Sequence, residues 1–125
     1  MRTGIDLIEI ERLEQLNPNI RRRFLARVFT AAELAQAGES FASLAGRFAA
    51  KEAVAKALGT GIGPIGWQDI EILTLTSGEP QVYLHGAACS LAAQLGLAEW
   101  SLSITHTRTL AAAFVVAQDA PEARG

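Results

Sequence analysis

The sequence predicts an α+β domain, with an antiparallel sheet packed on one long helix. Three observations point there. Residues 41–58 are an unbroken run rich in Ala, Leu, Lys and Glu, opened by Ser40 and closed by Gly59. Short apolar, strand-like runs lie on both sides of it, at 3–10, 69–76, 81–84, 100–105 and 110–117. Tight turns join the later runs in pairs, as antiparallel neighbours require.

Taken in order, Thr3 to Ile10 carries Ile5, Leu7, Ile8 and Ile10 and suits a short buried strand. A helical turn over 12–16 follows, broken by Asn17-Pro18. Residues 19–28 read as a basic amphipathic helix with Ile20, Phe24, Leu25 and Val28 on its apolar side. Thr30 with Glu33 forms a capping box for another short helix. After the long helix, 59–66 (GTGIGPIG) is a loop. The turn Ser77-Gly78-Glu79-Pro80 joins the next two strands, 86–96 is an alanine-rich helix, and the last two strands meet near Arg108. Residues 1–117 then make one domain, and 118–125 (QDAPEARG) a flexible polar tail.

Composition narrows the function classes. The chain has 125 residues, half of them apolar and 19% charged, which fits one globular domain. Its net charge of −2 argues against nucleic acid as a partner, although Arg21, Arg22, Arg23 and Arg27 cluster within seven positions. Cys89 is the only cysteine, so neither an internal disulfide nor a thiolate metal site can form, and a reducing compartment is expected. No stretch approaches the roughly 20 apolar residues that span a bilayer, and charges interrupt the N-terminal segment. A soluble, cytoplasmic protein with no membrane partner is expected.

A few residues carry chemistry. Asp6 stands in an apolar context, where a carboxylate must be paired, metal-bound or protonated; a solvated strand-end aspartate is the plainer alternative. Glu52 lies mid-helix among alanines, with Lys56 one turn on; alone, this reads as an exposed helix pair. Two carboxylates, a lysine and an arginine are nevertheless what a metal–diphosphate site needs. Mg²⁺ takes hard oxygen ligands and completes its shell with water and phosphate, while Arg47 and Lys56 could neutralise phosphate charge. The loop 59–63 could offer backbone N–H groups to a phosphate, but it lacks a P-loop's lysine and spacing. His106 ends a strand among Ser103, Thr105 and Thr107; His85 precedes a helix and receives no role. Trp67 and Trp100 read as core or interface residues. No serine or cysteine sits in a nucleophile elbow, so no covalent enzyme intermediate is expected.

In this order the segments resemble the bacterial holo-acyl-carrier-protein synthases, the short class of 4′-phosphopantetheinyl transferases. GIDLIEIERL (4–13) is similar to the family's first motif, placing Asp6 on its metal-ligand aspartate and Arg12 on a downstream arginine. GRFAAKEAVAKALGTGIG (46–63) is similar to its central motif, placing Glu52 on the second metal ligand and Lys56 on a phosphate-side lysine. FTAAEL, WQDIEIL and SITHT complete a resemblance spanning residues 3–117. One departure stands out: the stretch between Glu33 and Gly46 is short and contains no lysine.

The resemblance implies a single transferase module that moves 4′-phosphopantetheine from coenzyme A to a serine of apo-acyl carrier protein, releasing 3′,5′-ADP. It implies Mg²⁺, with Mn²⁺ as an alternative, on Asp6 and Glu52, and catalytic roles for Glu52 (general base) and Lys56 (diphosphate charge). It implies coenzyme A contacts from Asp6, Arg47, Glu52, Lys56, Gly59, Gly61, Pro80, His106 and Thr107, and carrier-protein docking through Arg12, Arg23 and Arg27. It also implies a homotrimer with shared sites, in which His106 and the Gly78–Pro80 turn approach coenzyme A from the adjacent subunit. Two other classes remain open at this point: a Mg²⁺-dependent phosphoester or diphosphate hydrolase, and a non-catalytic coenzyme A or carrier-protein binding module. Whether the carrier serves fatty-acid, polyketide or other synthesis is also open.

Overall fold

The computed structural model describes residues 1–121. The chain runs β1 (Arg2–Glu9), α1 (Glu11–Glu14), α2 (Pro18–Val28), α3 (Ala31–Ala37), α4 (Phe41–Leu58), a 3-10 turn (Trp67–Asp69), β2 (Ile70–Thr74), β3 (Pro80–Leu84), α5 (Gly86–Gln94), β4 (Leu97–His106) and β5 (Leu110–Asp119). Strands β1, β5 and β4 form a three-stranded antiparallel sheet in that order, and β2 and β3 form a separate hairpin. The α+β expectation holds, but the sheet is divided in two. The strand ending at Asp119 also moves the start of the polar tail beyond 118–119, and residues 122–125 of that expected tail lie outside the described residues.

Helix α4 is the axis of the fold. The Ser40 hydroxyl accepts the Ser43 N–H at its start, and Gly59, at φ 84°, closes its end in the left-handed region. Ala45, Ala49, Ala50, Ala53, Val54, Ala55 and Ala57 are all buried, so this helix is apolar nearly all round. Its alanines let the sheet come very close. A Cβ on Gly4 would lie 1.8 Å from the Ala53 carbonyl oxygen, so only glycine fits where β1 crosses α4. That backbone-to-backbone contact fixes the height of β1 along the helix, and with it the position of Asp6.

The capping box forms as expected, but Glu33 does more than cap. Its carboxylate is fully buried; it accepts N–H groups from Thr30 and Ile72, and its Oε1 lies 2.7 Å from the equally buried Lys51 Nζ. Lys51 also donates to the Trp67 and Ile70 carbonyls and lies over the Phe29 ring. One ion pair thus ties α3, α4 and β2 together.

Alternation in β1 does not mean burial on both faces. Gly4 and Ile8 face α4, while Ile5 and Leu7 point away and are 63% and 61% exposed. In α2, Ile20 is exposed too, because the apolar side that packs inward is only Phe24, Leu25 and Val28. Arg21, in the basic cluster, folds back onto the Leu13, Glu14 and Leu16 carbonyls and stacks over Phe41, so its charge serves the fold.

Candidate active site

Register delivers the first carboxylate. Asp6 pairs with Ala113 on β5, and Ala113 pairs with Ile104 on β4, so all three share the face toward α4. Gly4, two residues earlier on that face, rests on Ala53. Asp6 therefore meets α4 beside Glu52 and Lys56. Asp6 and Glu52 line one groove together with Arg12, Leu13, Leu16, Phe24 and Phe48. Phe48 stacks on Trp67 with ring centroids 5.0 Å apart and meets Phe24 at 5.6 Å, so one wall of the groove is a braced aromatic cluster.

The expected Glu52–Lys56 helix pair is replaced by a different one. Lys56 Nζ donates to Asp6 Oδ1 at 3.0 Å and to the Ile5 carbonyl at 2.9 Å. On β1 the ammonium meets a carboxylate and a backbone carbonyl together.

Glu52 is left facing Asp6. Its carboxyl is pushed above the ordinary glutamate value, first by burial and then by the Asp6 charge, with Lys56 opposing. Folding thus tightens proton binding at Glu52. Ionising it weakens the metal-free fold as pH rises from the unfolded value near 4.5 to the raised folded value. Glu52→Gln is expected to melt a few degrees higher than the parent at about pH 7 without metal, the gap closing below about pH 4. Thermal melts across that range check it.

The remaining residues divide. Arg47, Pro80 and His106 line a second cavity, with Ser43, Thr74, Gly78 and Thr105. Arg47 is largely buried and donates to the Ile72 carbonyl, Gln36 Oε1, Thr74 Oγ1 and Ser43 Oγ. Burial lowers its pKa while Glu33 opposes. Arg47 therefore braces α4 against β2 as well as lining the cavity, and it lies apart from the groove that holds Asp6 and Glu52. Thr107 Oγ1 accepts the Thr109 and Leu110 N–H groups and shapes the β4–β5 turn.

Gly59 and Gly61 differ from expectation. Their N–H groups donate to the Ala55 and Lys56 carbonyls, and Gly63 donates to Ile65, so the loop spends these donors on the helix cap and itself instead of presenting a phosphate cradle. Arg12, Arg23 and Arg27 are all exposed and carry no ion pair among the described residues. Arg12 alone of the three lines the Asp6–Glu52 groove. Sequence reasoning missed the Phe24–Phe48–Trp67 wall and the His85–Glu71 contact of 3.1 Å; the aromatic spacing was visible, but its partner 19 residues past Phe48 was not.

The family model of the 4′-phosphopantetheinyl transferase superfamily matches residues 2–115. The holo-[acyl-carrier-protein] synthase of Moorella thermoacetica is 50% identical over 123 residues, covering 94% of each chain. The chain belongs to the holo-[acyl-carrier-protein] synthase family of 4′-phosphopantetheinyl transferases. The synthase of Herpetosiphon aurantiacus is 47% identical, covering 91% of this chain and 95% of its own. Among solved structures, the Helicobacter pylori holo-[acyl-carrier-protein] synthase in complex with coenzyme A superposes with a TM-score of 0.84 at 32% identity, over 93% of this chain and 99% of its own. Within this family, the groove holding Asp6, Glu52 and Arg12 is the natural place to look for the chemistry, because it gathers this chain's convergent unlike charges beside an apolar wall.

Proposed function

We infer that this transferase moves 4′-phosphopantetheine from coenzyme A to the serine hydroxyl of an apo-acyl carrier protein. The observation that carries the reading is the convergence of Asp6, Glu52 and Lys56, supplied by two distant segments, in a chain of this family. The serine oxygen attacks the β-phosphorus of the diphosphate, its bond to the 3′,5′-ADP oxygen breaks, and the serine proton passes to a base. Glu52 is that base, being a carboxylate with raised proton affinity at the groove wall. Lys56, half-exposed on a flexible stem, stabilises charge on the diphosphate.

Asp6 and Glu52 fit a Mg²⁺ ion, and Mn²⁺ equally. Among the described residues no third His, Cys, Asp or Glu joins them. Two hard carboxylates, with room for water and phosphate oxygens, suit an ion that is seldom held by an all-protein cage. When bound, the ion would neutralise diphosphate charge and polarise its P–O bonds.

Coenzyme A contacts from Arg47, Pro80 and His106 come from the second cavity, Thr107 follows His106 at the end of β4, and Gly59 and Gly61 stand apart at the far end of α4. A trimer with shared sites supplies the link between the two cavities, each made by a neighbouring copy. An exposed apolar sheet face supports it: Ile5, Leu7 and Phe114 stand together on the side away from α4, 63%, 61% and 45% exposed. Phe114→Asp is expected to convert a trimer into monomers, read by light scattering, with activity falling in step.

The carrier protein, an acidic partner, docks on Arg12, Arg23 and Arg27, and the protein acts in the cytoplasm in fatty acid biosynthesis. Arg23→Glu or Arg27→Glu is expected to raise KM for the carrier about tenfold, with the coenzyme A value little changed, and added salt should mimic it. The function itself is tested by intact mass spectrometry of an apo carrier protein incubated with this protein, Mg²⁺ and coenzyme A. One phosphopantetheine added to the carrier is expected. Cleaved coenzyme A with an unmodified carrier would establish a hydrolase instead.

A further inference from the structure

Lys56 occupies one of the two Asp6 oxygens open to a metal. Its Nζ lies 3.0 Å from Asp6 Oδ1 and 2.9 Å from the Ile5 carbonyl, although Glu52 stands one helical turn away on its own helix. β1 is an outer strand of its sheet, so this ammonium also covers the sheet edge beside the groove. The free protein thus presents two carboxylates with a cation already seated on one of them. A divalent ion arriving alone must displace that ammonium or sit beside it, and either is opposed by like charge. A diphosphate changes the balance, because it offers Lys56 a second anion and frees Asp6.

We propose that Lys56, besides meeting the diphosphate, guards the Asp6 side of the site against free divalent metal and releases it when a diphosphate draws the ammonium away. Metal and diphosphate then enter as mutually dependent ligands. Linkage requires that each raise the other's affinity by the same factor. The proposal rests on Asp6 and Glu52 holding the metal, and extends it from which residues bind to the order in which they become available.

The test measures Mn²⁺ binding directly, by the loss of the free-ion electron paramagnetic resonance signal, with no turnover. In coenzyme A-free protein, Lys56→Gln is expected to bind Mn²⁺ about tenfold more tightly than the parent, as removing a unit charge near a divalent ion in a water-like medium predicts. Lys56→Arg, which keeps the charge, is expected to bind as weakly as the parent. Adding coenzyme A should tighten Mn²⁺ binding more in the parent than in Lys56→Gln. Circular dichroism confirms that both variants are folded. Unchanged or weaker Mn²⁺ binding by Lys56→Gln overturns the proposal, as does equal tightening by Lys56→Arg. The parent with coenzyme A, compared with Asp6→Asn, separates the two levels. If Mn²⁺ fails to bind there, or binds Asp6→Asn as well, the metal assignment falls and the proposal with it. If that control succeeds and Lys56→Gln does not tighten, the proposal falls alone.

Discussion

Asp6→Ala and Glu52→Ala are each expected to lower transfer by about a thousandfold or more while the protein stays folded. On the function proposed above both carboxylates gather charge around a diphosphate, and neither belongs to the buried core. Asp6 has one ion-pair partner, the half-exposed Lys56, and loses little packing when shortened. Glu52 is unfavourably placed in the metal-free protein, so its removal relieves burial and repulsion. Single-turnover mass spectrometry with saturating coenzyme A reads the activity, and thermal melts read the fold. Near-normal transfer by either variant at limiting Mg²⁺ would remove that residue from the metal site. A collapse of the melt would instead show that the residue is structural.

Lys51→Met is expected to have the opposite signature, a loss of stability of about 3–5 kcal/mol, because it leaves Glu33 as a buried, unpaired charge. Whole domains are stable by only about 5–15 kcal/mol, so this single change should lower the urea midpoint severely. Glu33 and Lys51 are both fully buried, and Lys51 anchors two carbonyls of the segment leading into β2. Burial depresses the Lys51 pKa while the Glu33 charge and hydrogen bond raise it, so the Lys51 charge depends on Glu33. Replacing both, with Glu33→Gln added to Lys51→Met, should recover part of the loss. Glutamine removes the orphaned charge and can still accept the Ile72 N–H, but it has one carbonyl oxygen for the two amides that Glu33 now satisfies. A double variant no more stable than Lys51→Met would show that the pair is not the source of the loss.

The difference between these two outcomes follows from position on one helix. Lys51 and Glu52 are adjacent in sequence, yet one turns to the core and the other to the groove. Local sequence showed a helix with four charges among alanines, and charge type alone favours exposure for all of them. Only the strands packed around α4 separate them. The same holds for Arg47, read from the sequence as a coenzyme A contact: it lines a cavity and also makes four hydrogen bonds with α3, α4 and β2.

By itself, the sequence determined the helix from Phe41 to Leu58 with both its caps, the capping box at Thr30, the antiparallel pairs and the family. These rest on local chemistry: side-chain caps, glycine at positive φ, and apolar periodicity act over a few residues. The tertiary structure alone decided that the strands form two sheets, that Ile5 and Leu7 face outward, that Lys56 pairs with Asp6 and not Glu52, and that Glu33 and Lys51 lie in the core. Each depends on a contact between segments at least 18 residues apart, and the β1–β5 pairing joins the two ends of the domain. Nothing in the run from Gly4 to Asp6 states that Ala53 lies across from it; the missing Cβ of Gly4 allows that approach, and packing selects it.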